Sequence, residues 1–97
     1  MLRLQMDMRK DRPYFLRDVD VSETELRELL RQPDADARAQ WQGRLLREAR
    51  FDDVWSYLTL EEVLRDWPRI ERHLGRRRGF WEFLLRGWRK DGLLPAA

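Results

Sequence analysis

The chain has 97 residues, with 20 basic and 18 acidic side chains, five tryptophans and no cysteine. That length supports one modest core and not two, and the lack of cysteine excludes disulfides and thiolate metal sites. Although 39% of the residues are charged, the signs balance and 11% are aromatic, which excludes a disordered tail.

A net charge of +2 is too small to imply nucleic-acid binding by itself. Every basic residue except Lys10 and Lys90 is arginine, the side chain best suited to forked pairing with carboxylate or phosphate. No apolar run approaches the roughly 20 residues of a membrane span, and no signal-peptide core is present. The expected location is the cytoplasm.

Residues 1–9 alternate, with Leu2, Leu4, Met6 and Met8 set against Arg3, Gln5, Asp7 and Arg9. Period two reads as a strand with one buried face, yet no second strand is evident and a lone strand is not stable. The segment is therefore an arm packed on the helices, a strand added to a partner's sheet, or an extension ahead of a start at Met6 or Met8. Residues 10–20 read as a solvated loop with Tyr14, Phe15 and Leu16 as an apolar plug. Asp18 and Asp20 are too few oxygen ligands for a metal site. Arm and loop (1–20) precede a single helical domain (21–97).

Ser22 and Glu25 have the spacing of a capping box, with Val21 and Leu26 as its hydrophobic staple. Leu26, Leu29 and Leu30 make the buried edge of a helix that runs until Pro33. An aspartate of the Pro33–Asp36 turn caps a longer helix reaching about Arg50, burying Ala37, Trp41, Leu45 and Ala49. Gly43 inside it costs about 1 kcal/mol against alanine unless another backbone comes close there. Phe51, Val54, Trp55 and Leu58 form a short third segment. Thr59 and Glu62 repeat the box and Leu58 and Val63 the staple, with Leu60, Val63, Leu64 and Trp67 on one face. Pro68 is expected to break or kink this helix and to start another, with Ile70 and Leu74 inward and Gly75 as its stop.

The final helix has the broadest apolar face. Phe80, Leu84 and Trp88 fall at i, i+4 and i+8, with Trp81 and Leu85 beside them and Phe83 widening the stripe. Arg86, Arg89 and Lys90 take the other side, near the end where cations suit the helix dipole. Gly92 reads as the C′ glycine, with Leu93 folding back towards Trp88. The expected fold is all-α, a compact bundle of five or six short helices. The tryptophans are unequally spaced, so they do not mark a repeat.

Nothing in the chain has the form of a catalytic constellation. Ser22 and Thr59 are engaged as caps, and the single histidine, His73, lies among Arg69, Arg72 and Arg76 with no acid placed to orient it except Glu71. The carboxylate pairs Asp52–Asp53 and Glu61–Glu62 are adjacent on helices and point apart. No phosphate-binding glycine loop occurs, so neither an enzyme nor a cofactor is expected. The candidate binding features are two. One is the basic run of Arg65, Arg69, Arg72, Arg76, Arg77 and Arg78, in which three arginines ahead of a helix oppose its dipole. It reads either as the seat of a local anion, a phosphate backbone or an acidic partner surface, or as a solvated turn in an arginine-rich chain. The other is the aromatic excess: five tryptophans, four phenylalanines and two tyrosines exceed what a small core buries, so some of Trp55, Tyr57, Trp81 and Trp88 are expected at the surface. Exposed Trp with Arg is the composition of a binding hot spot. The site residues expected from these are Arg69, Arg72, Arg76, Arg77, Arg78, Trp81 and Trp88.

Two stretches carry a resemblance, Pro13–Asp20 and Leu46–Val63 with its run Phe51-Asp52-Asp53-Val54-Trp55-Ser56-Tyr57-Leu58. Together they resemble a family of small, uncharacterised helical bacterial proteins often encoded beside nucleotidyltransferase-like toxins of the abortive-infection (AbiEii) type. The resemblance covers roughly residues 13–65; from Trp67 onward the chain departs from it, with more arginine and a longer last helix. It implies a non-catalytic antitoxin or adaptor whose partner is such a nucleotidyltransferase. The rival expectation is a small nucleic-acid-binding regulator using Arg65–Arg78, and a third is a purely structural subunit.

Overall fold

A computed structural model of the protein describes residues 12–16 and 18–92. The expected arm at residues 1–9 and the expected contact of Leu93 lie outside these.

Ser22 starts helix α1 (Glu23–Leu29) as anticipated. Its hydroxyl accepts from Glu25 N at 3.1 Å, while the Glu25 carboxylate accepts from Ser22 N at 3.0 Å. Both orphan donors at the helix start are thereby satisfied. Leu26 and Leu30 are buried, but the helix ends four residues short of Pro33. Asp34 caps α2 (Ala35–Glu48) by accepting from Asp36 N and Ala37 N. The short α3 (Phe51–Val54) has no side-chain cap. Thr59 and Glu62 then box the start of α4 (Leu60–Ile70). Two 3₁₀ turns, Glu71–His73 and Gly75–Arg77, lead into α5 (Arg78–Lys90). The fold is all-α, with no strand among the described residues.

Helix α2 is central, packing against α1, α3, α4 and both 3₁₀ turns. Its inward face differs from the expected one. Ala39, Gln42, Gly43, Leu45 and Leu46 are buried, whereas Ala37 and Trp41 lie at the edge of the core. The spacing-four reading followed the large side chains and missed a stripe in which two small residues and a glutamine let neighbours come close. The helix also stops at Glu48 rather than Arg50. The apolar plug of the N-terminal loop belongs to the same core, since Phe15 and Leu16 are buried while Tyr14 stays half in water. No packing boundary therefore follows residue 20.

Pro68 does not break its helix. α4 runs through it to Ile70, and the departure from α geometry comes only at Glu71. Val63, Asp66 and Ile70 are buried on either side of the proline, and this packing holds the helical frame. Pro68 itself is exposed, where water can take the carbonyl its ring leaves without a donor. Gly75, at φ 53°, supplies the left-handed residue that turns the chain after the buried Leu74.

Gly43 is where the chain needs glycine. A Cβ there would sit 2.6 Å from His73 Cβ and 3.4 Å from the Ile70 carbonyl oxygen. The first is a stem atom fixed to its backbone and cannot swing away. Helix propensity alone would make Gly43→Ala stabilising by about 1 kcal/mol; the close approach reverses the sign. We expect it to destabilise by about 1–3 kcal/mol, seen as a lower urea midpoint at unchanged m-value.

Candidate protein-docking surface

Helix α5 buries Trp81 and Leu85 completely or nearly so, leaves Leu84 and Trp88 half-covered, and exposes Phe80 (41%) and Phe83 (71%). At 100° per residue the sequence Trp81, Trp88, Leu84, Phe80, Gly87, Phe83 walks round one flank from the core into water. The expected stripe is thus rotated. Trp81 and Leu85 form its centre, and Phe83, expected to widen the buried face, is the most exposed large apolar residue described.

The exposed flank continues onto α3 and the start of α4. Phe51 meets Phe80 edge-on with ring centres 6.1 Å apart and Trp88 at 6.4 Å, and Trp55 lies 6.3 Å from Trp88. Phe51, Trp55, Leu60 and Trp88 line an open concavity of about 350 Å³. These side chains converge for local reasons. The four-residue α3 turns the chain so that Phe51 and Trp55 face the same way, and the Thr59 cap makes Leu60 the first residue of α4. The surface is apolar, contiguous and concave, which is the form of a side-chain-accepting docking site.

Trp81 is not part of it. Expected on the partner face, Trp81 is 0% exposed, and its indole N–H donates to the Leu46 carbonyl at 3.1 Å. That carbonyl is among the last four of α2, which lack an in-helix donor, so the ring serves as both core filler and helix cap. Tyr57 is also buried, its hydroxyl donating to Glu23 at 2.7 Å; burial, then this carboxylate, push its pKa up.

The basic run is divided by its neighbours. Arg65 pairs with Asp66, Arg69 with Asp36 at 3.4 Å, and Arg78 with Glu71 at 2.8 Å and Glu82 at 3.7 Å. Part of the anion that three arginines before a helix call for is therefore supplied by the chain itself. Arg77 lies over the Phe80 ring, 4.8 Å from its centre. Arg72, Arg76, Arg77, Arg86, Arg89 and Lys90 have no carboxylate partner among the described residues.

Several of the remaining chemistry-bearing residues make structural contacts. His73 packs its Cβ against Gly43 and accepts from Arg47 through its backbone carbonyl. Asp53 accepts from Tyr14, and Glu62 is taken up by the Thr59 cap and Arg31. Asp18 pairs with Arg44. No group of three or more His, Cys, Asp or Glu fit to hold a metal occurs among the described residues.

No family model, curated protein or solved structure matches the chain.

One polar cluster escaped the sequence reading. Asp66, 1% exposed, accepts from Arg38 through two bonds (3.0 and 2.9 Å), from Gln42 at 3.0 Å and from Arg65 at 3.0 Å. Burial raises the carboxyl's pKa, but the bonds from Arg38, Arg65 and Gln42 outweigh it and hold the pKa well below the ordinary value. The signal was present: Asp66 stands three residues after Val63 and four before Ile70, on the apolar face of α4. A carboxylate there needs a buried cation opposite it.

Proposed function

We propose that this protein is a non-catalytic binding module that docks a larger protein through the flank formed by α5, α3 and the start of α4. The observation carrying this is one helix flank that exposes Phe80 and Phe83 and leads, through the contacts of Phe51 with Phe80 and Trp88, into the concavity lined by Phe51, Trp55, Leu60 and Trp88. Scattered apolar residues on a surface need no explanation; a contiguous aromatic one around a cavity does. The partner to test first is the one the sequence resemblance implies, a nucleotidyltransferase-like toxin of the AbiEii type, with this chain as antitoxin or adaptor. The nucleic-acid reading draws less support, because Arg65, Arg69 and Arg78 are already paired within the chain.

The test is co-expression with such a nucleotidyltransferase, reading growth rescue and co-purification at moderate and high salt. A stoichiometric complex that survives high salt is expected. Phe83→Asp, at an exposed position, should leave stability within about 0.5 kcal/mol yet weaken the complex by about 30-fold or more, as for a hot-spot aromatic. Co-purification of nucleic acid alone, lost at high salt and indifferent to Phe83→Asp, would overturn the proposal in favour of the arginine run. A stable complex that leaves the toxin active would reduce the chain to a structural subunit.

A further inference from the structure

Resting on the docking reading above, we infer that the occupant of this flank is an acidic amphipathic helix of the partner, its apolar face on Phe80, Phe83 and Trp88 and its carboxylates over the cations at the two ends of α5. The apolar path runs the length of α5 and ends in a concavity of about 350 Å³, room for large side chains reaching in from a neighbouring helix. The described residues offer no strand edge, so an added strand has no main-chain partner here, whereas a helix needs only the groove.

The charges choose among occupants. Arg76 and Arg77 stand at the N-terminal end of the ridge, with Arg77 on the Phe80 ring. Lys90 stands at the other end, seven residues on from Phe83 and so on the same side of the helix, whereas Arg89 falls on the opposite side with Trp67 and Glu82. None of the three flank cations has a carboxylate partner among the described residues. The side-chain Nε of Arg77 is buried and has no hydrogen-bond acceptor, an unspent donor at the rim. A second copy of this chain laid antiparallel about Phe83 would set Arg76 against Lys90, and a parallel copy would set each cation beside its own kind. Like charges oppose both arrangements. A lipid surface could cover the exposed Phe80 and Phe83 but would leave the concavity of Phe51, Trp55, Leu60 and Trp88 without side chains to fill it. An acidic helix satisfies the ridge, the cavity and the cations together.

The test uses the full chain and two synthetic amphipathic helical peptides with the same Leu and Trp face, one flanked by Glu and the other by Lys. Binding is read by anisotropy of a fluorophore on the peptide. Vesicles of mixed phosphatidylglycerol and phosphatidylcholine serve as a third probe. The Glu peptide should bind about tenfold or more tightly than the Lys peptide. Arg76→Glu/Arg77→Glu should erase or invert that preference. This reversal places acid at the start of α5, where the helix dipole favours it, so lost binding is not lost folding. Lys90→Glu should act the same way from the other end, and Arg89→Glu, on the opposite side of α5, should leave the preference unchanged. If both peptides bind equally and both are released by Phe83→Asp, the acidic partner is overturned and the docking surface stands. If neither peptide binds, or only the vesicles do, this inference and the docking surface fail together.

Discussion

An Asp66→Ala variant is expected to lose about 3–5 kcal/mol of stability, the cost of stranding a buried charge rather than the worth of one ion pair. Arg38, its side chain 16% exposed, would keep its guanidinium against α4 with no anion to face, and the buried Gln42 amide would keep only its long 3.4 Å bond to the Leu30 carbonyl. The Gln42 carbonyl oxygen already has no donor, so this corner has no slack to absorb a second unpaired group. Replacing Arg38, Gln42 and Asp66 together by apolar residues of similar volume should cost far less than the single change. That contrast, measured by urea denaturation, separates desolvation from packing.

The same carboxylate sets the acid limit. Its pKa is lower in the folded chain than the roughly 3.9 of an unfolded aspartate, so its contribution is complete above about pH 4 and is lost as the pH falls below that. Asp18, through Arg44, and Glu25, through the Ser22 backbone, are shifted in the same direction. Wild type should therefore lose stability from about pH 4 downward, and Asp66→Asn should lose less of it over that range. Equal acid sensitivity in the two proteins would remove Asp66 from the account.

Trp81→Ala should be comparably severe, about 3–5 kcal/mol. The ring packs against those of Phe51, Trp55 and Phe80, with centres 5.7, 5.9 and 5.7 Å away, and rigid rings collapse poorly into the space it would leave. Trp81→Phe is the sharper experiment, because it keeps an aromatic ring but withdraws the N–H from the Leu46 carbonyl. We expect that change to cost about 1–3 kcal/mol, the penalty for a buried unsatisfied polar group. Near-neutral Trp81→Phe would show that the indole only fills volume.

Much of this architecture could be read from residue spacing because it is enforced locally. The two capping boxes need only a side chain and a backbone three residues apart, and both form as Ser22–Glu25 and Thr59–Glu62 suggest. Ile70 and Leu74 turn inward and Gly75 turns the chain for equally local reasons. Residue spacing failed where a distant partner decides. Pro68 stays helical because burial on both its flanks outweighs one missing N–H. α2 turns Gln42 and Gly43 inward because α4 supplies Asp66 and the following turn supplies His73. Trp81 and Phe83 are both aromatic and only two positions apart, and no local rule says which of them the core will take. Composition marked α5 and its arginines as the place to look; only the packing of α3 beside it shows which flank remains open.

Helix α5 begins with no side-chain cap and no acidic residue in its first turn, behind Arg76 and Arg77. Within the helix that end is spanned by the long Arg78–Glu82 pair at 3.7 Å, half in water, so its persistence depends on Trp81 and Leu85 staying seated. Such an element is a natural unit of local opening. Its amides should exchange with solvent at a lower free energy than those of α2, on a separate branch of native-state hydrogen exchange as denaturant is added, and the two should merge only near the global transition. A ligand on the exposed flank would first slow exchange along α5, and part of its binding energy would go into holding that helix shut.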